Sequence, residues 1–187
     1  HYEKPQEKET EAHRSGASGT WRNSFLRAPF NRDAAVRRGI IWDTFETSIT
    51  WDHSLEFIES IKDKTRKAIH EISGRETNVT CRLTHTYPDG CAPYFSYTAY
   101  GTPSTMLDVW KQIKIATNEM VVSEGGTVTH HHAVGRDHRI NGYDVQRPSG
   151  FKDMLTAAKS SVDPRSIMNP GVLIDSGKGK IGHWMEN

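Results

Sequence analysis

The chain has 187 residues and a formal net charge of +1, from 24 Lys and Arg against 23 Asp and Glu. This length suits one domain of ordinary size, and the balanced charge disfavours a nucleic-acid-binding protein, which needs a clustered basic excess. Because there is no run of about 18 apolar residues, no membrane-spanning helix is predicted. The cysteines, Cys81 and Cys91, fit neither a CxxC motif nor a zinc-ligand spacing. We interpret them as reduced thiols, with a disulfide across a hairpin as the alternative.

The N-terminal segment, residues 1–19, is rich in charged side chains and has no aliphatic residue other than Ala. Such a composition cannot bury enough apolar surface to offset its ordering entropy, so it predicts a disordered linker or the truncated edge of a domain. The segment also lacks the apolar stretch of a signal peptide, and the chain does not end in a peroxisomal tripeptide. We therefore expect a cytoplasmic protein.

After this segment, periodicity and turn signals predict alternating helices and strands. Apolar residues at helical spacing, with Gly74 and Gly125 as stop signals, indicate two amphipathic helices, while β-branched and aromatic runs indicate strands. In chain order we predict a short helix over 32–38, a strand over 40–49, a helix over 54–72, strands over 78–87 and 94–101, a helix over 104–123 and a strand over 127–129.

The order strand, helix, strand, strand, helix, strand is the split βαβ pattern of ferredoxin-like folds, in which two helices cover one face of an antiparallel sheet. The fold class is therefore predicted to be α+β. We expect the ferredoxin-like domain to occupy residues 20–149. A further predicted helix at 150–161 makes residues 150–187 a small C-terminal helical segment with a tail.

Three adjacent histidines, His130, His131 and His132, lie between a Gly-Gly pair and a loop that carries Arg136 and Arg139. Imidazole exchanges protons near neutral pH, and glycine allows a backbone to approach a ligand closely. These features, with the two arginines, favour a ligand-facing loop over the alternatives of a polar loop at a sheet edge or a chance metal-binding patch. In an extended backbone the first and third histidines point one way and the second the other, so no metal site is predicted.

Two further residues are candidates only in combination with this loop. Tyr94 begins the second strand of the predicted hairpin and by itself is interpreted as a packed aromatic side chain. Arg32, followed by Asp33 at a predicted helix start, is by itself interpreted as a surface charge or an ion-pair partner. The functional case therefore depends on the order in which these motifs occur along the chain.

In that order the motifs resemble the C-terminal part of the alkyldihydroxyacetonephosphate synthase (alkylglycerone-phosphate synthase) family, a branch of the vanillyl-alcohol-oxidase-like flavoproteins. The histidine triplet with the following Val-Gly is fairly specific to this branch, whereas the Asp-Pro and Asn-Pro-Gly ending is shared with flavin-linked oxidases and D-lactate dehydrogenases. The matching segments are Asn31-Arg32-Asp33, Asp43 to Ser48 with Trp51, Cys81 to Tyr87, Tyr94-Phe95, Gly125-Gly126, His130 to Gly135, Val162-Asp163-Pro164 and Asn169 to Ile174.

The resemblance implies that the chain is the cap, or substrate domain, of a FAD-dependent enzyme that exchanges the acyl group of acyl-dihydroxyacetone phosphate for a fatty alcohol. It assigns Tyr94 as the catalytic acid/base and Arg32 as the residue that binds the substrate phosphate, a role that suits a planar guanidinium. It assigns His131 and His132 as catalytic residues and all three histidines, His130 included, as cofactor-binding residues.

The phosphate-cradling motifs GxGxxG and GxxxxGK[ST] are both absent from the sequence. FAD is therefore expected to be bound mainly by an N-terminal domain that is absent from this chain, and the isolated chain is expected to be colourless and inactive. The implied partners are a phosphorylated lipid substrate and a fatty alcohol. Peripheral membrane contact and a homodimer stay open.

Two alternative functions also stay open. One is a FAD-linked oxidase or dehydrogenase that acts on a 2-hydroxy acid or an alcohol. Ala133 keeps this alternative in view, because the synthase pattern predicts glycine there. The other alternative is a ferredoxin-like binding module without catalytic activity.

Overall fold

The computed structural model of the chain describes residues 16–175 and shows the predicted α+β class. Short helical turns lie at Trp51–His53, Arg139–Tyr143 and Asp144–Gln146. The longer elements are α1 (Gly16–Val36), β1 (Ile40–Glu46), β2 (Ile49–Thr50), α2 (Ser54–Ser73), β3 (Val79–Thr86), β4 (Gly90–Tyr100), α3 (Met106–Ser123) and α4 (Ser149–Val162).

Strand β4 is the centre of an antiparallel sheet. β1 pairs with one edge of β4 and β2 continues along that edge, while β3 pairs with the other edge. A tight hairpin joins β3 to β4, and in it the Tyr87 N–H donates to the Gly90 carbonyl at 2.8 Å. Residues that are directly opposite each other on paired strands share a face of the sheet. Phe45 on β1 and Phe95 on β4 are such a pair, and their rings stack with centroids 4.8 Å apart.

Helices α2 and α3 cover the same face of this sheet, as predicted. Both contribute to one apolar cluster with the inward side chains of the strands, which is the core of the described residues. Because side chains alternate across a strand, the neighbours of these core residues, Thr44 and Tyr94 among them, point to the opposite face. The buried members of the cluster are Ile41, Phe45, Phe57, Ile61, Ile69, Val79, Phe95, Tyr97, Ala99, Val109, Ile113 and Val121.

The strand predicted over 127–129 is wrong, because this segment forms no ladder with the sheet. The chain instead crosses the gap between β1 and β2, where Thr127 N–H donates to the Ser48 carbonyl at 3.2 Å. The Ser48 N–H in turn donates to Thr127 Oγ1 at 3.0 Å, so a side chain takes the place of a backbone partner. At Gly126 an added Cβ would lie 2.7 Å from Phe57 Cζ, so this close approach requires glycine.

Other predicted boundaries shift in the structure. The helix predicted over 32–38 is the end of the longer α1, which begins at Gly16, inside the segment 1–19 predicted to be a linker. The other residues of that linker, 1–15, and residues 176–187 lie outside the described part of the chain. The predicted strand over 40–49 is divided into β1 and β2. The limits of the two predicted domains stay predictions.

The two cysteines are free thiols, as interpreted from the sequence. Cys81 lies opposite Phe95 and Cys91 opposite Thr86, so the two thiols are not register partners across the hairpin. Burial raises the pKa of Cys81 to about 11, which keeps it a neutral thiol. None of the helices within residues 16–175 has the length and apolarity needed to cross a bilayer.

The C-terminal segment packs on the loop that follows the histidines. Arg136 donates to the Pro170 carbonyl at 2.7 Å, and the buried Arg139 donates to the Gly171 carbonyl at 3.1 Å and to the Asp175 carboxylate at 3.0 Å. The prediction that these two arginines help to form a ligand-facing loop is therefore corrected, since both bind the tail instead. Helix α4 confirms the predicted C-terminal helix.

A buried imidazole makes the stability of this fold depend on pH. His138 is 5% exposed and its Nδ1 lies 3.1 Å from Asn118 Oδ1. Burial, reinforced by the positive charge of Lys114 and by that of His132 when it is protonated, lowers the pKa of His138 to about 4. The unfolded chain, with an ordinary histidine pKa of about 6.5, therefore binds this proton more readily than the folded chain does.

The contribution of neutral His138 to stability is complete above pH ~6.5 and is lost as the pH falls toward the folded pKa of about 4. We expect this group to lower the free energy of unfolding by about 3 kcal/mol over that interval. Urea unfolding of the full chain at several pH values measures the effect. The His138→Gln variant, which does not titrate, serves as the reference, and an equal pH dependence in both proteins would contradict the prediction.

Candidate functional site

Tyr94 and the three predicted histidines converge at one end of the sheet. The histidine loop, residues 129–132, lies against the last residue of β1, on the face opposite α2 and α3. The Tyr94 ring lies 5.3 Å from that of His132, edge to face, and 6.0 Å from that of His131, stacked. The sequence places these side chains up to 38 positions apart, and only the fold brings them together.

The buried carboxylate of Glu46 positions the histidine loop. Its Oε1 accepts hydrogen bonds from Thr129 Oγ1 at 2.6 Å and from the backbone N–H groups of His130, His131 and His132 at 2.6, 2.8 and 2.9 Å. Such convergence of consecutive N–H groups on one anion is incompatible with an extended backbone. The predicted alternation of the histidine side chains is therefore wrong.

The electrostatics of Glu46 follow from these contacts. Burial by itself would raise the pKa of Glu46, but the hydrogen bonds from Thr129 and the three backbone N–H groups outweigh burial and lower it. The carboxylate is thus a fixed negative charge beneath the loop. In the sequence Glu46 is only a residue of the predicted strand over 40–49, since no local pattern indicates which backbone its side chain will meet.

The three imidazoles of the loop lie close to one another. Neighbouring rings are 5.6 Å apart for His130 and His131 and 4.8 Å apart for His131 and His132. Burial is the main cause that lowers the pKa of His132, and the nearby charge of His131 acts in the same direction although Glu46 opposes it. His132 is therefore neutral near pH 7 and able to accept a proton.

Tyr94 is held by groups from both neighbouring strands. Its hydroxyl donates to Thr44 Oγ1 on β1 at 3.1 Å, and the Arg82 guanidinium of β3 lies 4.7 Å from the centre of its ring. Register explains both contacts, because Arg82 is directly opposite Tyr94 on one side, and Thr44 lies on the same face two residues before Glu46, the partner of Tyr94 on the other side. A phenol, a positive charge and the imidazoles are thus within one small region.

Two residues of the hairpin join the cluster; both belong to the matching segment Cys81 to Tyr87, but the sequence analysis assigned neither of them an individual role. The His85 ring lies 5.1 Å from the ring of His130 and 5.0 Å from that of His131. Tyr87 Oη lies 3.0 Å from His130 Nε2. The signal in the sequence for these two residues was the concentration of titratable and aromatic residues over 84–95. Which of these side chains reach the histidine loop depends on the bulge between Leu83 and His85, which the sequence does not reveal.

Arg32 lies apart from this cluster. It is on α1, its side chain is 59% exposed, and it pairs with Asp43 Oδ1 at 3.7 Å. It borders a cavity of about 400 Å³ with an apolar wall made by Trp42, Met106 and Trp110. The structure therefore brings Tyr94, His130, His131 and His132 together and places Arg32 at a neighbouring cavity. The roles assigned to these residues stay predictions.

The family profile described as FAD linked oxidases, C-terminal domain, matches residues 5–173. The chain belongs to this family of FAD-linked oxidase C-terminal domains, which confirms the resemblance inferred from its motifs.

Among individual proteins, the chain is similar to the alkyldihydroxyacetonephosphate synthase of Trypanosoma brucei brucei, with 28% identity over 84% of this chain and 25% of that protein. It is also similar to the alkyldihydroxyacetonephosphate synthase of Caenorhabditis elegans, with 30% identity over 77% of this chain and 24% of that protein. The chain thus spans about a quarter of the length of the curated relatives it matches. A crystal structure of an alkyldihydroxyacetonephosphate synthase has a similar fold, with a TM-score of 0.57 and 18% identity over 83% of this chain and 25% of that one.

Proposed function

We propose that this chain forms the substrate side of a FAD-dependent enzyme that exchanges the acyl group of acyl-dihydroxyacetone phosphate for a fatty alcohol. The observation that carries the proposal is the convergence of Tyr94 with the histidine loop on the face opposite the helices. The names of the relatives support the same reaction class. FAD would supply a ring that accepts and returns an electron pair, and residues outside this chain would bind most of it.

The donor set of the cluster fits a flavin. The half-buried imidazole of His132 and the phenol of Tyr94 offer both proton donors and acceptors beside a flat ring surface. In the proposed enzyme Tyr94 accepts and returns the proton that the exchange requires, while His131 and His132 orient the cofactor and the substrate. Glu46 keeps the three histidines in place through their backbone N–H groups.

A phosphorylated lipid suits the neighbouring cavity. Its apolar wall, which includes Trp42, Met106 and Trp110, is compatible with a hydrocarbon chain, and Arg32 at its border provides a guanidinium for a phosphate. In the proposed function Arg32 exchanges its 3.7 Å ion pair with Asp43 for the substrate phosphate. The exposed Arg32 can leave this long contact at little cost, because the largely buried Asp43 keeps Lys114 Nζ as an ion-pair partner at 2.9 Å.

The test is an assay of the complete gene product with its flavin. We expect turnover of acyl-dihydroxyacetone phosphate to require a long-chain alcohol, to release a fatty acid and to proceed without an electron acceptor. Reduction of a dye by a 2-hydroxy acid or an alcohol, without acyl exchange, would instead support the oxidase or dehydrogenase alternative. A gene product with neither activity and no flavin would leave the binding-module alternative.

A further inference from the structure

We propose that His85, His130 and His131, together with the buried carboxylate of Glu46, form a binding site for a divalent transition-metal ion, best suited to Zn²⁺. One ligand atom from each of the three histidines lies within 4.8 Å of the others. The ligands come from two separate elements, the end of β3 and the histidine loop, so the site exists only in the folded chain. The site shares His130 and His131 with the cluster of the proposed function, but its test requires neither flavin nor substrate.

The distances around Glu46 match a tetrahedral ion. His130 Nδ1 and His131 Nδ1 are 3.4 Å apart, and Glu46 Oε2 lies 3.0 Å from the second and 3.6 Å from the first. Zinc bonds of about 2.0–2.2 Å in tetrahedral geometry separate two ligand atoms by about 3.3–3.6 Å. These three atoms therefore form one face of a coordination tetrahedron, and His85 is placed to supply the remaining ligand.

The second observation is an unsatisfied buried oxygen. Glu46 is 0% exposed, and within the described part of the chain its Oε2 has no hydrogen-bond partner, although Oε1 accepts four. A buried carboxylate oxygen that accepts no hydrogen bond is an exception that calls for a ligand, an ion or a charged neighbour. Its nearest titratable neighbours are the Nδ1 atoms of His130 and His131, so a cation bound by these histidines would also satisfy the carboxylate.

Tyr87 supports the ligand geometry. Its hydroxyl oxygen lies 3.0 Å from His130 Nε2, where it can accept the Nε2–H of a neutral imidazole. This tautomer leaves the lone pair on Nδ1, the atom that faces Glu46 and His131. Imidazole and carboxylate ligands favour Zn²⁺ and its neighbours Cu²⁺ and Ni²⁺ over Mg²⁺ or Ca²⁺, which prefer oxygen ligands only. His85 and His131 are accessible to solvent, so an ion has a path into the site.

Zinc titration of the full chain, free of any affinity tag, in competition with a chromophoric chelator tests this site. We expect binding of one equivalent of Zn²⁺, and with Co²⁺ the visible absorption of a tetrahedral complex. The His85→Ala variant should weaken binding by at least about tenfold, and Glu46→Gln by about 10–100-fold. The matched control is His53→Ala, which removes an exposed imidazole outside the cluster and should bind Zn²⁺ as the unmodified chain does.

Absence of saturable binding, or equal affinity in the unmodified chain and the His85→Ala variant, would overturn the proposal. If circular dichroism shows that His85→Ala has lost its fold, His130→Ala decides in the same way, because it retains the backbone N–H that Glu46 accepts. These measurements use no flavin and no lipid, so their failure would leave the proposed function untouched.

Discussion

In the complete gene product the Tyr94→Phe variant is expected to lose turnover by about 10²–10⁴-fold, the usual contribution of a positioned acid/base, while it retains bound FAD. The substitution removes only the hydroxyl that donates to Thr44 Oγ1 and leaves the ring in contact with His131 and His132. Steady-state kinetics with acyl-dihydroxyacetone phosphate and a fatty alcohol measure the loss, and flavin absorbance measures the retained cofactor. Because the hydroxyl acts in the chemical step, the loss should appear in kcat rather than in KM.

The matched control for this substitution is Tyr100→Phe. Tyr100 is on the same strand and the same face as Tyr94, but its ring contacts Arg75 instead of the histidine loop. This variant should retain the turnover of the unmodified enzyme. Near-normal turnover in Tyr94→Phe would remove the acid/base assignment, and an equal loss in both variants would indicate a structural effect on the sheet.

The Glu46→Ala substitution is expected to lower the free energy of unfolding by about 3 kcal/mol or more. Four hydrogen-bond donors, Thr129 Oγ1 and three backbone N–H groups, lose their common acceptor, and each buried donor left without a partner costs about 1–3 kcal/mol unless water replaces the carboxylate. Urea denaturation of the full chain measures the change. Hydrogen exchange at the amides of His130, His131 and His132 should accelerate, because these three N–H groups donate hydrogen bonds to Glu46.

Two variants separate the role of Glu46 from a general effect of removing a carboxylate. Glu46→Gln retains an oxygen acceptor, so it should preserve more of the protection of the loop amides than the alanine variant does. Glu59→Ala removes an exposed carboxylate that pairs with Lys62 on the surface of α2 and should change stability by less than about 1 kcal/mol. A Glu46→Ala protein as stable as Glu59→Ala would contradict the positioning role.

The elements with strong local signals were predicted well from the sequence. Helices α2 and α3 lie close to the predicted limits of 54–72 and 104–123, because apolar side chains at helical spacing and terminal glycines act locally. The strand predicted over 127–129 failed for the opposite reason. Its Thr-Val-Thr sequence favours a strand, but Thr127 meets Ser48 through a side-chain hydroxyl at the interruption between β1 and β2, so no ladder forms.

The functional residues divide in the same way. Tyr94 and the three histidines were identifiable because the order of their motifs resembles a known family, and their imidazole and phenol groups have recognisable chemistry. Glu46, His85 and Arg82 lie in the matching segments but received no individual role, because each acts through a partner that is distant in sequence. Arg136 and Arg139 were placed near a ligand by their position beside the histidines, yet the tertiary structure directs them to the C-terminal segment.

The sequence by itself therefore determined the α+β class, the two amphipathic helices, the hairpin and the membership of a flavin-linked family. These depend on periodicity, turn residues and motif order, all of which are encoded within short segments. The tertiary structure alone decided the conformation of the histidine loop, the burial of Glu46 and the approach of His85. The reason is physical: these features arise from hydrogen bonds and packing between residues up to 86 positions apart, which no local pattern specifies.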